Sequence, residues 1–278
     1  MTTWLGELRR LLIINCLALL AVFFPIFRGL LASSEFYGDP KLGLQVIESD
    51  RYGASYYVQS NYTSEKDWPL IVVLYSDEAQ KGKIAIETWL SEIKKQNAIV
   101  LFVSYLEPRE SPFASDARLL RLIRYVENIY RIDDHRVLIT GFGEAAHYAF
   151  YAAFRYPTYF SAVALVAGSM EGRLSPFLKY GDEAGKLLRY VVVYGDQDKI
   201  VREDGLTAAK KGFEVRGYQV DLQELHGLDH KLYPEFCSKA MGWFNGLQPI
   251  TPVAGKTEAP SFAVSEFFSS LVRGIFKN

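Results

Sequence analysis

Cysteine is scarce in this chain, and neither sign of charge is in excess. The two cysteines, Cys16 and Cys237, lie far apart, so no disulfide within the folded domain is predicted. Their number leaves the redox compartment undecided. The net charge of −1 does not favour nucleic-acid binding, which needs a basic surface. Among only four histidines, His226 and His230 form a loop pair without a third ligand, so neither a metal nor a cofactor is predicted.

An uncharged apolar run occupies residues 11–27 and follows two arginines, Arg9 and Arg10. About 17 apolar residues are the lower limit for crossing a bilayer. We therefore predict that residues 1–34 are an uncleaved signal anchor, with residues 11–27 in the membrane and the domain on the extracytoplasmic (periplasmic or extracellular) side. A cleaved signal peptide, which would leave the protein secreted, and a buried core helix are the alternatives.

Apolar runs and helical patterns alternate through residues 35–246. Residues 68–75 and 98–104 are continuous apolar runs, which is typical of strands buried on both faces. Residues 84–96 and 117–130 carry apolar side chains at helical spacing. The remaining predicted elements are strands at 52–59, 137–140, 162–167, 190–194 and 219–225, and helices at 144–155, 205–212 and 232–244. This alternation predicts an α/β fold with a mostly parallel central sheet flanked by helices.

The composition changes after Gly246. Residues 247–260 are rich in proline and threonine and are predicted to be a linker. Residues 261–278 form an amphipathic pattern, which predicts a C-terminal helix. Its apolar stripe consists of Phe262, Val264, Phe267, Phe268, Leu271, Val272, Ile275 and Phe276. This helix could fold back onto the domain, dock a protein partner or lie in a membrane interface; its few positive charges count against the last.

The most informative segment is Gly141-Phe-Gly-Glu-Ala145, which joins a strand-like run to a helix-like run. A strand–turn–helix context is where a G-x-S-x-G nucleophile elbow places its serine. Here Gly143 stands at that position, and glycine has no side chain with which to attack a carbonyl. The segment therefore predicts a hydrolase scaffold without its nucleophile.

A longer match surrounds this segment, from Asp116 to Gly168. An aspartate-led helix precedes Tyr130-Arg-Ile-Asp133 and Arg136-Val-Leu-Ile-Thr-Gly-Phe142, and Tyr156-Pro157 precedes Phe160-Ser-Ala-Val-Ala164. This pattern resembles the esterase group of α/β-hydrolases, which includes feruloyl and acetylxylan esterases and polyhydroxybutyrate depolymerases. The resemblance extends more loosely over residues 68–244. It implies an α/β-hydrolase fold without a large lid.

The resemblance also implies an acid and a base. The family needs serine, acid and histidine in that order, because the histidine takes the serine proton while the acid fixes its tautomer. Asp198, in the turn after a buried strand, matches the acid position, and His230, in the loop after the last strand, matches the base position. The order Gly143, Asp198, His230 is the one that the family has.

A second departure concerns the oxyanion loop. The family has His-Gly after its first buried strand, whereas this chain has Tyr75-Ser76-Asp77. A carboxylate there would oppose a developing negative charge. Glu144 begins the elbow helix, where a carboxylate favourably meets the helix dipole. A single substitution introduced by engineering would not explain both departures.

These departures lead to a catalytically degenerate esterase that acts by binding a protein partner, a carbohydrate or an ester. The alternative is an active carboxylic-ester hydrolase that uses a non-standard nucleophile or attacks with water directly. Asp198 and His230 could also persist as a buried structural pair. Ser169 is interpreted as a loop residue more readily than as a substitute nucleophile, and His147 as a helix-packing residue.

Overall fold

The computed structural model describes residues 39–50, 52–76, 79–105, 112–170 and 183–248. The predicted anchor at 1–34, Asp77, the C-terminal helix at 261–278 and all but two residues of the predicted linker lie outside these ranges. Residues 171–182 also lie outside them, so the absence of a large lid stays a prediction. In the described residues, no helix is long and apolar enough to cross a membrane.

In the described parts of the chain, eight strands form one sheet in the order β1-β2-β4-β3-β5-β6-β7-β8. The strands are β1 Gly43–Val46, β2 Ser55–Val58, β3 Trp68–Ser76, β4 Ile99–Tyr105, β5 Ile132–Phe142, β6 Ala162–Val166, β7 Arg189–Gly195 and β8 Gln219–Leu225. All pairings from β4 through β8 are parallel, whereas β1 and β2 are antiparallel additions at one edge. The predicted mostly parallel sheet is therefore confirmed.

Helices cover both faces of the sheet. They are α1 Ala79–Ile93, α2 Pro112–Ile129, α3 Glu144–Arg155, α4 Glu183–Leu187, α5 Glu203–Glu214 and α6 Pro234–Gly246. Because successive strand residues point to opposite faces, Val72 belongs to a buried cluster with residues of α2, α3 and α5, while Val73 belongs to a second cluster with residues of α1 and α6. Both valines are fully buried, which explains why β3 reads as a continuous apolar run.

The parallel strands all end at one edge of the sheet. β3 ends at Ser76, β5 at Phe142, β6 at Val166, β7 at Gly195 and β8 at Leu225. In open α/β sheets, ligands bind outside the carboxyl ends of the strands. The residues that follow these strands, among them the predicted acid and base, are therefore the place to look for a site.

Candidate active site

Gly143 lies in a sharp turn between β5 and α3. Its φ is 58° and its ψ is −118°, a conformation that glycine adopts freely and other residues adopt at a cost. Its backbone N–H donates to the Val166 carbonyl at 2.9 Å, which ties the turn to the end of β6. The strand–turn–helix geometry of an elbow is therefore present at residue 143.

His230 faces this turn. A Cβ built on Gly143 would lie 3.5 Å from His230 Nε2 and 4.0 Å from its Cε1. A serine Oγ, one bond further out, would come within hydrogen-bonding reach of Nε2. The histidine ring also packs against Phe142, with ring centroids 5.2 Å apart. The residue predicted as the base is thus adjacent to the residue at the predicted nucleophile position.

Asp198 holds the other side of the histidine ring. Its Oδ2 lies 2.7 Å from His230 Nδ1, and its side chain is fully buried. The second oxygen, Oδ1, accepts hydrogen bonds from the backbone N–H groups of Ile200 at 2.8 Å and Val201 at 2.9 Å. Because an ionised carboxylate can only accept hydrogen bonds, its contact with Nδ1 assigns the proton to Nδ1, and in the neutral ring the lone pair is then on Nε2.

The acid and base loops are joined through their backbones. A Cβ on Gly195 would lie 2.1 Å from the Leu228 carbonyl oxygen, so only glycine allows the two loops to come this close. Gln197 N–H donates to that same carbonyl at 3.0 Å, and Asp196 Oδ1 accepts from the Gly227 N–H at 2.7 Å. These contacts hold the loops of Asp198 and His230 side by side.

A second imidazole lies beside the first. His147, one turn into α3, has its Nε2 3.2 Å from the Ser169 hydroxyl, and both side chains are partly buried. Burial lowers the pKa of His147, and the nearby His230 lowers it further. No sequence motif indicates this pair, since 22 residues separate its members and each was interpreted singly. His226, by contrast, pairs with the Asp196 carboxylate, not with His230.

Tyr75 belongs to a different cluster. It lies one residue before the end of β3, and burial raises the pKa of its hydroxyl, while Arg118 and a hydrogen bond with Ser104 oppose that shift. Arg118 in turn donates to both oxygens of the buried Asp50, at 2.8 and 2.7 Å, and to the Ser104 carbonyl at 2.8 Å. The Tyr75 hydroxyl therefore lies within the electrostatic influence of a buried ion pair.

Glu144 is the first residue of α3 and is exposed. A carboxylate at this end of a helix is stabilised by the helix dipole. Its backbone N–H directly follows the predicted nucleophile position, which is where an α/β-hydrolase places one of its two oxyanion donors. The other donor comes from the loop after β3, whose residues 77 and 78 lie outside the described ranges.

Comparison with solved structures identifies similar folds. Est1E from Butyrivibrio proteoclasticus shares 14% identity and a TM-score of 0.54, covering 73% of this chain and 97% of its own. Esterase 2 from Thermogutta terrifontis has 13% identity and a TM-score of 0.54, with coverage of 77% and 98%. A truncated carbohydrate esterase from gut microbiota has 14% identity and a TM-score of 0.53, with coverage of 69% and 90%.

These similarities concern the fold, because identities are this low. No protein-family model matches the chain, and no curated protein matches it. The structural neighbours are esterases and carbohydrate esterases of the α/β-hydrolase type, and the eight-stranded sheet of this chain is consistent with that fold.

Proposed function

We propose that this chain is a catalytically degenerate esterase-like domain that acts by binding. The observation that carries the proposal is the pairing of Asp198 with His230 next to Gly143. The base is oriented by its acid, at 2.7 Å, toward a residue that has no side chain. The acid and the base of an acyl-transfer site are thus in contact, while glycine occupies the position of the nucleophile.

The decrease in kcat expected without a nucleophile supports binding over turnover. In a serine protease, removing the nucleophile costs about 10⁶-fold in kcat, and the remaining rate comes from the oxyanion hole and substrate binding. In this chain Tyr75-Ser76-Asp77 also stands where the resemblance places the His-Gly of the oxyanion loop. We therefore expect the residual rate to lack its usual support as well.

Fluorophosphonate labelling and hydrolysis of short-chain p-nitrophenyl esters test the proposal on the full chain in detergent. We expect neither labelling nor turnover in the unmodified protein. The Gly143→Ser variant should be labelled at residue 143, and Gly143→Ala, which has a side chain without a hydroxyl, should not. Stoichiometric labelling of the unmodified protein, or ester turnover that His230→Ala abolishes, overturns the proposal.

An active carboxylic-ester hydrolase is the second candidate, and the contact between Ser169 and His147 favours it. A hydroxyl 3.2 Å from an imidazole that burial keeps neutral is the elementary unit of an activated serine. In this case the fluorophosphonate would label the unmodified chain at Ser169, as located by peptide mass spectrometry. Ser169→Ala should then remove both labelling and turnover, while Gly143→Ala leaves them in place.

The proposal also includes the location of the domain. Residues 11–27 would anchor it, with the domain on the extracytoplasmic side, and residues 261–278 would dock a protein partner. Membrane fractionation with alkaline extraction tests the anchor, and release of the intact chain by alkali argues against it. Affinity capture with and without residues 261–278 tests the docking segment, and an unchanged set of partners rejects that role.

A further inference from the structure

The space beside Gly143 opens onto a polar atom. Among the described residues, only His230 lies within 4 Å of a Cβ built there, at 3.5 Å from Nε2 and 4.0 Å from Cε1. Two nearby glycines differ in this respect. A Cβ on Gly141 would overlap the backbone of Ala145 at 2.6 Å, and one on Gly168 would overlap the Ala146 Cβ at 2.4 Å.

The chemistry of Nε2 determines what can enter this space. Because Asp198 engages Nδ1 at 2.7 Å, the neutral ring presents a lone pair at Nε2. No donor to Nε2 is present in the parts of the chain that the structure describes. A carboxylate or an ether oxygen would place one lone pair against another, whereas a hydroxyl group can donate its hydrogen. The acceptor is also reachable, since a quarter of the His230 side chain is exposed.

We propose that this site binds a neutral polyhydroxy ligand, one of whose hydroxyl groups donates to His230 Nε2 in the space next to Gly143. The inference rests on the proposed binding function and specifies the ligand class and its central contact. Van der Waals contact with the Gly143 Cα keeps the ligand carbon outside the turn, so only its oxygen reaches the position that a serine hydroxyl would take.

Two neighbouring features favour a polyol with an apolar face, such as a sugar, over a simple alcohol. The partly exposed Phe142 ring lies 5.2 Å from the His230 ring, which gives the C–H face of a sugar an aromatic surface. Ser169 and His147 form a second polar pair, at which a second ligand hydroxyl can bind; Ser169 follows Gly168, whose built Cβ would lie 3.1 Å from the Gly143 carbonyl oxygen, so the pair lies near the same turn. Both features adjoin the same acceptor.

Saturation-transfer NMR on the full chain in detergent tests the inference, with methyl glucoside, methyl xyloside and glycerol as probes. The nitrogen chemical shift of His230 Nε2, assigned with a His230→Gln variant, reports the hydrogen bond. Methyl glucoside should bind and shift this resonance. Per-O-methylated methyl glucoside is the matched control, because it keeps the ring but has no hydroxyl donor, and it should do neither.

Variants at residue 143 complete the test. Gly143→Ser supplies its own hydroxyl to Nε2 and should weaken probe binding about tenfold, the equivalent of one net hydrogen bond. Gly143→Ala carries the same backbone strain without a hydroxyl, so it should weaken binding less than serine does. Failure of all three probes to bind, equal binding of the methylated sugar, or unchanged binding in Gly143→Ser overturns the inference. Each of these outcomes leaves the labelling test of catalytic degeneracy unaffected, so the two proposals fail separately.

Discussion

Replacing Gly143 with alanine should destabilise the fold, because the backbone conformation of residue 143 favours glycine. At a φ of 58° and a ψ of −118°, a residue with a Cβ is strained by about 1–3 kcal/mol. Space is not the cause, since the nearest described atom, His230 Nε2, lies 3.5 Å from the built Cβ, an ordinary contact distance. The free energy of unfolding of Gly143→Ala should therefore fall by that strain, less the roughly 0.4–1 kcal/mol that alanine contributes by restricting the unfolded chain.

Gly242→Ala is the matched control. Gly242 lies inside α6 and is exposed, and beyond its chain neighbours and the nearby backbone of its own helix no described atom lies within 4 Å of its built Cβ. Alanine is about 0.5–1 kcal/mol better than glycine in a helix interior, so this variant should be more stable than the parent chain. Both changes restrict the unfolded chain equally, so that contribution cancels when the two are compared. Their difference, about 1–3 kcal/mol, is the backbone strain at residue 143 and reports the folded state alone.

Denaturant unfolding followed by tryptophan fluorescence measures both variants, since the chain has four tryptophans. The comparison requires that the slope of the free energy of unfolding against denaturant concentration is unchanged. In thermal unfolding, each kcal/mol corresponds to about 2–4 °C for a domain of this size. If Gly143→Ala is as stable as Gly242→Ala, residue 143 does not have a positive φ, and the elbow assignment is refuted.

Two further predictions concern buried polar groups. Asp116 is buried and accepts hydrogen bonds from the hydroxyls of Tyr148, Tyr156 and Tyr151 at 2.9, 3.0 and 3.2 Å. Asp116→Asn should therefore lower the free energy of unfolding by about 1–3 kcal/mol. An unchanged denaturation midpoint contradicts this prediction. Burial lowers the pKa of His147 below 6.5, so the folded state binds its proton less readily than the unfolded state. Stability should therefore fall as the pH drops through 6.5 toward the lower folded-state pKa. Denaturation midpoints measured across this pH range should fall less in His147→Gln than in the unmodified protein. An identical pH dependence in both proteins refutes the lowered pKa of His147.

The sheet was predictable where its strands are buried on both faces. Residues 68–75 and 98–104 are continuous apolar runs, and the structure has strands Trp68–Ser76 and Ile99–Tyr105 there. β1, at Gly43–Val46, was not predicted, because it is a short edge strand whose Leu44 and Val46 are half or more exposed. An edge strand with apolar residues in solvent has no burial pattern that a sequence could reveal.

Helix boundaries were less predictable than helix positions. The first helix was predicted from residue 84, whereas α1 begins at Ala79, since the apolar spacing does not extend into the lysine-containing first turn. The short helix α4, Glu183–Leu187, was not predicted at all. Five residues are too few to show helical periodicity, and Leu187 is exposed.

The pairing of Asp198 with His230 was implied by the resemblance to α/β-hydrolases, and both residues lie where parallel strands bring the loops at their carboxyl ends to one edge. The sequence did not predict the neighbours of Tyr75 and Ser169. Arg118 and Ser104 influence the pKa of Tyr75, and Ser169 contacts His147, across tens of residues without a motif. Side-chain contacts of this kind depend on packing between elements, for which neither periodicity nor spacing provides a signal.

At residue 143, stability and acyl-transfer chemistry make opposite demands. A serine there would face His230 Nε2 but would carry the strain of the positive φ, about 1–3 kcal/mol, which glycine does not. Gly143→Ser and Gly143→Ala should therefore lose similar stability, and only the serine variant should gain fluorophosphonate reactivity. Serine could regain part of the loss through its hydrogen bond to Nε2, about 0.5–1.5 kcal/mol. If serine is less stable than alanine, its hydroxyl does not reach His230, and the proposed position of the nucleophile is wrong.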